Sequence, residues 1–432
     1  MQKLDEQFYD FLTHEDEPRA CKAIPKKACT NVPRNFTLNV LNGSLSKLAE
    51  KIVSPKLTLP WMLSFFGASP ALIGALVPIK DAGSLLPQLA VSGKIRAFSI
   101  RKKFWVISAI VQAFCWLAGG LLVFFNSGSF LPILILILLA IFSVASGVAS
   151  VAFKDVTAKT IPKNTRGQML SYRSTFGGIL SLVAGAVLVF VIRGESNTSI
   201  YGGMFLAASL LWFLAALTFS MIKEEKGATS GGRNPLEEVK AGWSLIREEN
   251  NFRNFLFTRA LLMAVPLLQP FYVLIAKDIS NTSWNLLGYL IIVNGLANVL
   301  SSPFWGKIAD QSPTRLMRIS CFIAIGGGIY ALLFYFLSNL QPGFYVFLPV
   351  FFINGIAYSG ARLSRKTYLV DYAPAEDRPT YVSVANTFIG LFTLVAAGFG
   401  VVAQLFGLPA QIIFFLLLLI IAVLLSFRLK EV

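Results

Sequence analysis

The chain has 432 residues, of which 55% are hydrophobic and 14% charged, with a mean hydropathy of +0.66. A soluble globular chain carries about 25% charged residues, so this composition excludes a water-soluble fold for most of the length. The formal net charge of +16 invites a nucleic-acid reading, but the basic residues sit in the gaps between apolar segments, and no nucleic-acid partner is expected.

Residues 1–34 are polar, with no apolar core before Phe36, so they read as a cytosolic tail and not as a secretory signal. The tail holds His14, Cys21 and Cys29, whose spacing matches no zinc motif. The cysteines are read as free thiols, and neither a metal nor a cofactor is expected. From Phe36 onward apolar stretches recur, each close to the roughly 20 residues a helix needs to cross ~30 Å of hydrocarbon. They are delimited as 36–66, 70–92, 104–125, 130–153, 168–192, 201–222, 253–276, 284–305, 319–338, 342–361, 381–405 and 410–427. None alternates apolar and polar residues as a membrane barrel strand does. The expected fold is an all-α membrane protein of about twelve transmembrane helices.

The connections alternate in charge. Lys94, Arg96, Arg101, Lys102 and Lys103, then Lys154 to Arg166, Lys223 to Arg253, Lys307 to Arg318, and Arg362 to Arg378 make one basic set, while the other set holds only Arg193 and Lys277. Basic loops stay in the cytosol, so both termini are placed there, in a cell (inner) membrane crossed many times. Glycosylation triplets at Asn197 and Asn281 fall on the outer side, too near the membrane to carry weight.

The two halves repeat. Pro162, Arg166, Thr175, Phe176 and Gly178 recur as Pro374, Arg378, Thr387, Phe388 and Gly390, an offset of 212. Gly93-Lys94-Ile95 recurs as Gly306-Lys307-Ile308 at 213, Leu72-Ile73-Gly74 as Leu286-Leu287-Gly288 at 214, and Pro55 and Pro60 correspond to Pro266 and Pro270 near 211. The expected organisation is a tail (1–34), a six-helix bundle (35–222), a cytosolic linker (223–252), a second pseudo-symmetric six-helix bundle (253–427) and a short C-terminus (428–432). Such parallel duplication is a known transporter plan. A proline inside a helix removes a backbone hydrogen bond and bends it, and in lipid such a break survives only against protein or a cavity. Spans one and seven are therefore candidates to line a pathway, unless the prolines are simple kinks.

On these residues the chain resembles the major facilitator superfamily from Phe36 to Phe427. The superfamily's loop signature after spans two and eight is Gly, three residues, Asp, then a basic cluster. Gly306-Lys307-Ile308-Ala309-Asp310, followed by Arg315 and Arg318, matches it; the first copy keeps Gly93, Arg101 and Lys102 but has Ala97 in place of Asp. The resemblance implies alternating access about a central site, with Asp310 and the nearby arginines forming a charge lock that breaks on opening to the cytosol. Gly177, Gly178 and Gly185 in span five lack the proline of the drug antiporter signature, so multidrug efflux stays only as an alternative.

Charges at membrane depth are costly and mark functional sites. Lys80 and Asp81 lie mid-span, turned apart by the ~100° per residue of a helix. Lys47, Glu50 and Lys51 share one helical face, unless that stretch is interfacial, and Arg259 corresponds to Lys47 at an offset of 212. Lys56 is expected to snorkel. Asn294, Asn298, Asn354 and Asn386 are read first as helix bridges, with Asn294 also a binding candidate, and Asp155 and Asp371 as loop ion-pair partners. Lys47, Lys51, Lys80 and Arg259 outnumber Glu50 and Asp81, which points to an anionic or zwitterionic organic solute. Proton coupling would fall to Asp81 or Glu50, since His14 is the sole histidine. No phosphate-binding loop is present for an ATP-driven pump, and a membrane enzyme remains the alternative from another class. The expected partners are a small-molecule substrate and membrane lipid, the expected state a monomer.

Overall fold

The computed structural model describes residues 6–7, 9, 29–125, 128–190, 198–227, 229, 244–279, 284–337, 344–374 and 377–432. His14, Cys21, Arg193, Asn197 and Asn281, with most of the linker, lie outside them. The described secondary structure is helical: α1 (Val32–Ile52), α2 (Thr58–Phe65), α3 (Pro70–Arg96), α4 (Lys102–Phe125), α5 (Leu131–Thr160), α6 (Arg166–Phe190) and α7 (Thr198–Ser220) build the first bundle. The second holds α8 (Asn250–Leu261), α9 (Ala264–Ile279), α10 (Trp284–Gln311), α11 (Pro313–Phe336), α12 (Leu348–Tyr372), α13 (Arg378–Ala396), α14 (Gly400–Phe406) and α15 (Leu408–Ser426).

Among the described residues, ten segments are long and apolar enough to cross a membrane. The pair α1–α2 and helix α3 fall outside that set because Lys47, Glu50, Lys51, Lys56, Lys80 and Asp81 interrupt them. Both are nonetheless packed inside the bundle, α1 against α6 and α7 and α3 against α5 and α13. The first helix begins at Val32, and the stretch bearing Lys47 packs against α6 and α7 within the bundle.

Spans one and seven break where prolines dictate. A proline cannot donate to the carbonyl four residues back and crowds it. For Pro60 that carbonyl belongs to Lys56, in the gap between α1 and α2; for Pro266 it belongs to Leu262, in the turn between α8 and α9. Pro60 and Pro266 thus follow a break in each half, whereas Pro270 lies inside α9 without interrupting it.

The bundles meet along two seams, α3 against α13 and α14, and α6 against α10. The repeat offset converts one seam into the other, as a two-fold axis requires. Near the α2–α3 end each seam is drawn tight by glycine: a Cβ at Gly74 would come 2.8 Å from the Gly400 Cα, and one at Gly288 would come 2.8 Å from the Gly185 carbonyl oxygen. Deeper in, Leu182 fills the space over Gly295 and Leu86 that over Gly390. On the same face as the glycine contacts, Lys277 Nζ donates to Ser64 Oγ (2.9 Å) across the halves. On the opposite face, which carries Val32 and the C-terminus, the side-chain hydrogen bonds between described residues stay within one bundle. Among the described residues the halves are thus joined most closely at the face that carries α2 and the start of α3.

Tyr9 returns to that face, buried against Phe36 with ring centroids 5.2 Å apart. Cys115 and Cys321 are free, but Cys29 is disulfide-bonded, against the expectation of a free thiol.

Candidate functional site

The break in span one leaves the last two turns of α1 facing the interior. Lys47 Nζ donates to Ser174 Oγ (2.6 Å) and to the Ser174 carbonyl (3.1 Å) on α6. Its electrostatic neighbours are Lys51, Arg362, Glu50 and Arg173. Lys51 faces Lys56, Tyr358, Arg362 and Glu50, so both bundles contribute to one charged space.

Lys80 and Asp81 diverge as their rotation predicts. Lys80 Nζ donates to Ser146 Oγ (3.2 Å) and lies 5.3 Å from the Phe142 ring centroid, within the first bundle. Asp81 instead interacts with Tyr358 of the second. Lys56 does not snorkel: its Nζ lies over the Tyr358 ring. Arg259 is 9% exposed; its Nη2 donates to Asn386 Oδ1 (2.9 Å), while its Nε has no hydrogen-bond partner. Asn386 is therefore a bridge. Asn294 is buried beside Gly355, and Asn354 leaves both amide atoms unpartnered.

Sequence reasoning missed the wall that α12 supplies. Span ten was expected to stop at residue 361, yet α12 runs to Tyr372, and Arg362, Arg365 and Lys366 join the cavity rather than a loop. Lys366 interacts with Arg362, Arg365, Tyr358 and Arg259. Arg173, missed too, donates to the Asn39 carbonyl (3.1 Å) and lies over Phe153. Eight basic side chains, Lys47, Lys51, Lys56, Arg173, Arg259, Arg362, Arg365 and Lys366, thus form one chain of electrostatic neighbours that reaches Glu50 and Tyr358, the neighbour of Asp81, while Lys80 stands apart on Ser146. Like charges in a partly desolvated space repel strongly. Among the described residues no cluster of three His, Cys, Asp or Glu exists to hold a metal.

The loop candidates fall into two separate clasps. Glu224, with a side chain 0% exposed, accepts from the backbone N–H of Arg101 (2.9 Å) and Lys102 (2.7 Å) and from Lys159 Nζ (2.8 Å). Arg101 also pairs with Asp155 at 3.2 Å. In the second half Glu431 accepts from Ser312 Oγ (2.6 Å) and Arg318 Nη2 (2.6 Å). In each bundle an acid just beyond the last span ties down the start of the third, where helix N-termini favour negative charge. Asp310 and Arg315 are exposed beside this clasp, and a Cβ at Gly306 would meet nothing within 4 Å. Gly93 sits near the end of α3.

The described helices thus form two tandem bundles with a break in the first span of each. The family model of the Major Facilitator Superfamily matches residues 40–338 and 260–432. The chain belongs to the major facilitator superfamily.

The superfamily fold is repeated at low identity in solved structures. A nucleoside transporter superposes with a TM-score of 0.69 at 13% identity, covering 90% of this chain and 98% of its own. A D-xylose-proton symporter gives 0.67 at 13%, covering 92% and 98%. An inward-facing bacterial homolog of the lysosomal transporter Spinster gives 0.63 at 15%, covering 93% and 97%. Among curated relatives, uncharacterized proteins of Mycobacterium tuberculosis and Mycobacterium bovis are 24% identical over 291 residues, 66% of this chain. That match spans 56% of the relatives' length. This superfamily member is a multi-pass membrane protein with a transporter fold.

Proposed function

We propose that the protein is a secondary active transporter that moves a small organic anion or zwitterion by alternating access, with proton coupling through Glu50 or Asp81. The observation that carries this reading is the chain of eight interacting basic side chains contributed by both bundles, against the two acids Glu50 and Asp81. A cationic cleft with low-dielectric walls concentrates anions, and a carboxylate beside it couples its protonation to their charge. In this reading the basic connections assign the terminus-bearing face to the cytosol, and the conformation is an inward-facing one. The bundles 35–222 and 253–427 then rock as a monomer in the cell membrane, with Gly93, Arg101, Lys102, Gly306, Asp310 and Arg315 at the gate.

Purified protein in liposomes loaded with a pH dye, offered a solute panel under a proton gradient, tests this. Organic anions are expected to move with protons, and Lys47→Gln and Arg259→Gln each to cut uptake by about tenfold or more, the size of one lost charged hydrogen bond. A preference for lipophilic cations, indifferent to Lys80→Ala and Lys47→Gln, overturns the reading.

A further inference from the structure

The first bundle contains a cavity of about 350 Å³ off the two-fold axis, walled by spans one, three, four, five and six. Lys47, Glu50 and Arg173 line it together with Trp105, Gln112 and Trp212. Gln112 is 0% exposed, yet neither its Nε2 nor its Oε1 has a hydrogen-bond partner. Trp212, 4% exposed, leaves its Nε1–H unpartnered on the same cavity. Buried polar groups are almost always satisfied, so two donors and one acceptor left open on one wall call for an occupant.

The repeat sharpens this. An offset of 212 from Trp105 and Gln112 leads to Met317 and Ala324, and the offset of 207 that relates Glu224 to Glu431 leads from Trp212 to Leu419, all apolar. A polar, aromatic wall kept in one half alone is not required by the fold that both halves share.

We propose that this cavity is a ring-binding compartment continuous with the central site. It takes a planar ring bearing hydrogen-bonding groups, which Gln112 and Trp212 address, while the ring's carboxylate lies on Lys47 and Arg173. Indole faces favour flat rings, and the volume lies at the lower end of the roughly 300–1,000 Å³ of small-molecule pockets, which suits one ring and not an extended ligand. The substrate class is a small aromatic or heteroaromatic acid. This inference rests on the reading of the central site as an anion site.

Calorimetric titration of the purified full chain with 3-hydroxybenzoate and cyclohexanecarboxylate separates the two claims. The expected result is binding of the aromatic acid about tenfold tighter, roughly one buried hydrogen bond's worth. Gln112→Leu is expected to erase most of that preference without lowering the melting temperature of the unliganded protein, because it removes an unpartnered amide. Lys47→Gln is expected to weaken both acids. If both acids bind equally, depend on Lys47 and ignore Gln112→Leu, the ring compartment is wrong and the anion site stands. Loss of unliganded stability in Gln112→Leu with the preference intact assigns the amide a structural role and overturns the compartment too. If neither acid binds, or Lys47→Gln changes neither, the anion reading fails and the compartment falls with it.

Discussion

Lys56 Nζ lies 3.7 Å from the centroid of the Tyr358 ring, so a cation from the first bundle rests on an aromatic face of the second where the central space is roofed. A cation–π contact is worth about 0.5–2 kcal/mol, and this one exists only while the halves are closed over the cavity. Lys56→Met keeps the length of the side chain and removes the charge. It is expected to shift the population toward the form open at the α2–α3 face by up to about tenfold, seen as altered spin-label distances between α2 and α9. Unchanged distances would show that the contact is incidental to the switch.

Glu224 is a buried acid held by two backbone donors and Lys159. Glu224→Gln turns an acceptor oxygen into an N–H facing other N–H groups and leaves the ammonium of Lys159 unpaired. Breaking a buried pair costs about 3–5 kcal/mol, so thermal unfolding in detergent should show a clear loss of stability. A melting temperature within error of the parent chain contradicts the clasp.

Glu431 gives a pH dependence at the terminus-bearing face. Burial alone raises its carboxyl, but Ser312, Thr314 and Arg318 outweigh it and hold the group below its ordinary value of 4.5. A depressed carboxylate stabilises the folded clasp at pH above its unfolded value and loses that contribution as pH falls through the lower, folded one. The Glu431 side chain is 58% exposed, so solvent screening limits the pair to at most about 1 kcal/mol. Limited proteolysis is expected to reach residues 427–432 faster at pH 3.5 than at pH 6, and Arg318→Gln to give the fast pattern already at pH 6. Equal cleavage at both pH values in the parent chain excludes a carboxylate clasp.

At Gly74 an added methyl would meet the backbone of Gly400, which has no flexible side chain to move aside. Overpacking costs about 1–3 kcal/mol, and here the penalty falls only on the form closed at that face. Gly74→Ala should therefore raise the labelling rate of a cysteine placed at Ser64, while Gly326→Ala, with nothing within 4 Å of the new Cβ, leaves it unchanged. A closed, slow-labelling Gly74→Ala protein would remove the seam from the gating scheme.

Much of the architecture is legible in residue order because lipid imposes a simple rule: a span is about twenty apolar residues, and a broken one carries proline. The offset of 212 adds the pairing of seams, since it exchanges α3 with α10 and α6 with α13. Helix ends on the terminus-bearing face are less legible. Hydropathy stops span ten at residue 361, whereas α12 continues through Arg362, Arg365 and Lys366 to Tyr372, because helical hydrogen bonding does not end where apolar composition does. Lys47, Lys80 and Asp81 stand out as charges among apolar neighbours, but Arg173 and Gln112 do not: one sits in a polar approach to span five and the other is a single amide. Their role depends on which helices surround them, and one sequence does not give that.

The seams touch at two depths. Leu182 over Gly295 and Leu86 over Gly390 lie deeper than the glycine crossings, one on each seam. Were the bundles to rock about these deeper contacts, Gly74 would part from Gly400 and Gly185 from Gly288 while the terminus-bearing ends drew together, and one opening would exchange for the other without either bundle sliding along its partner.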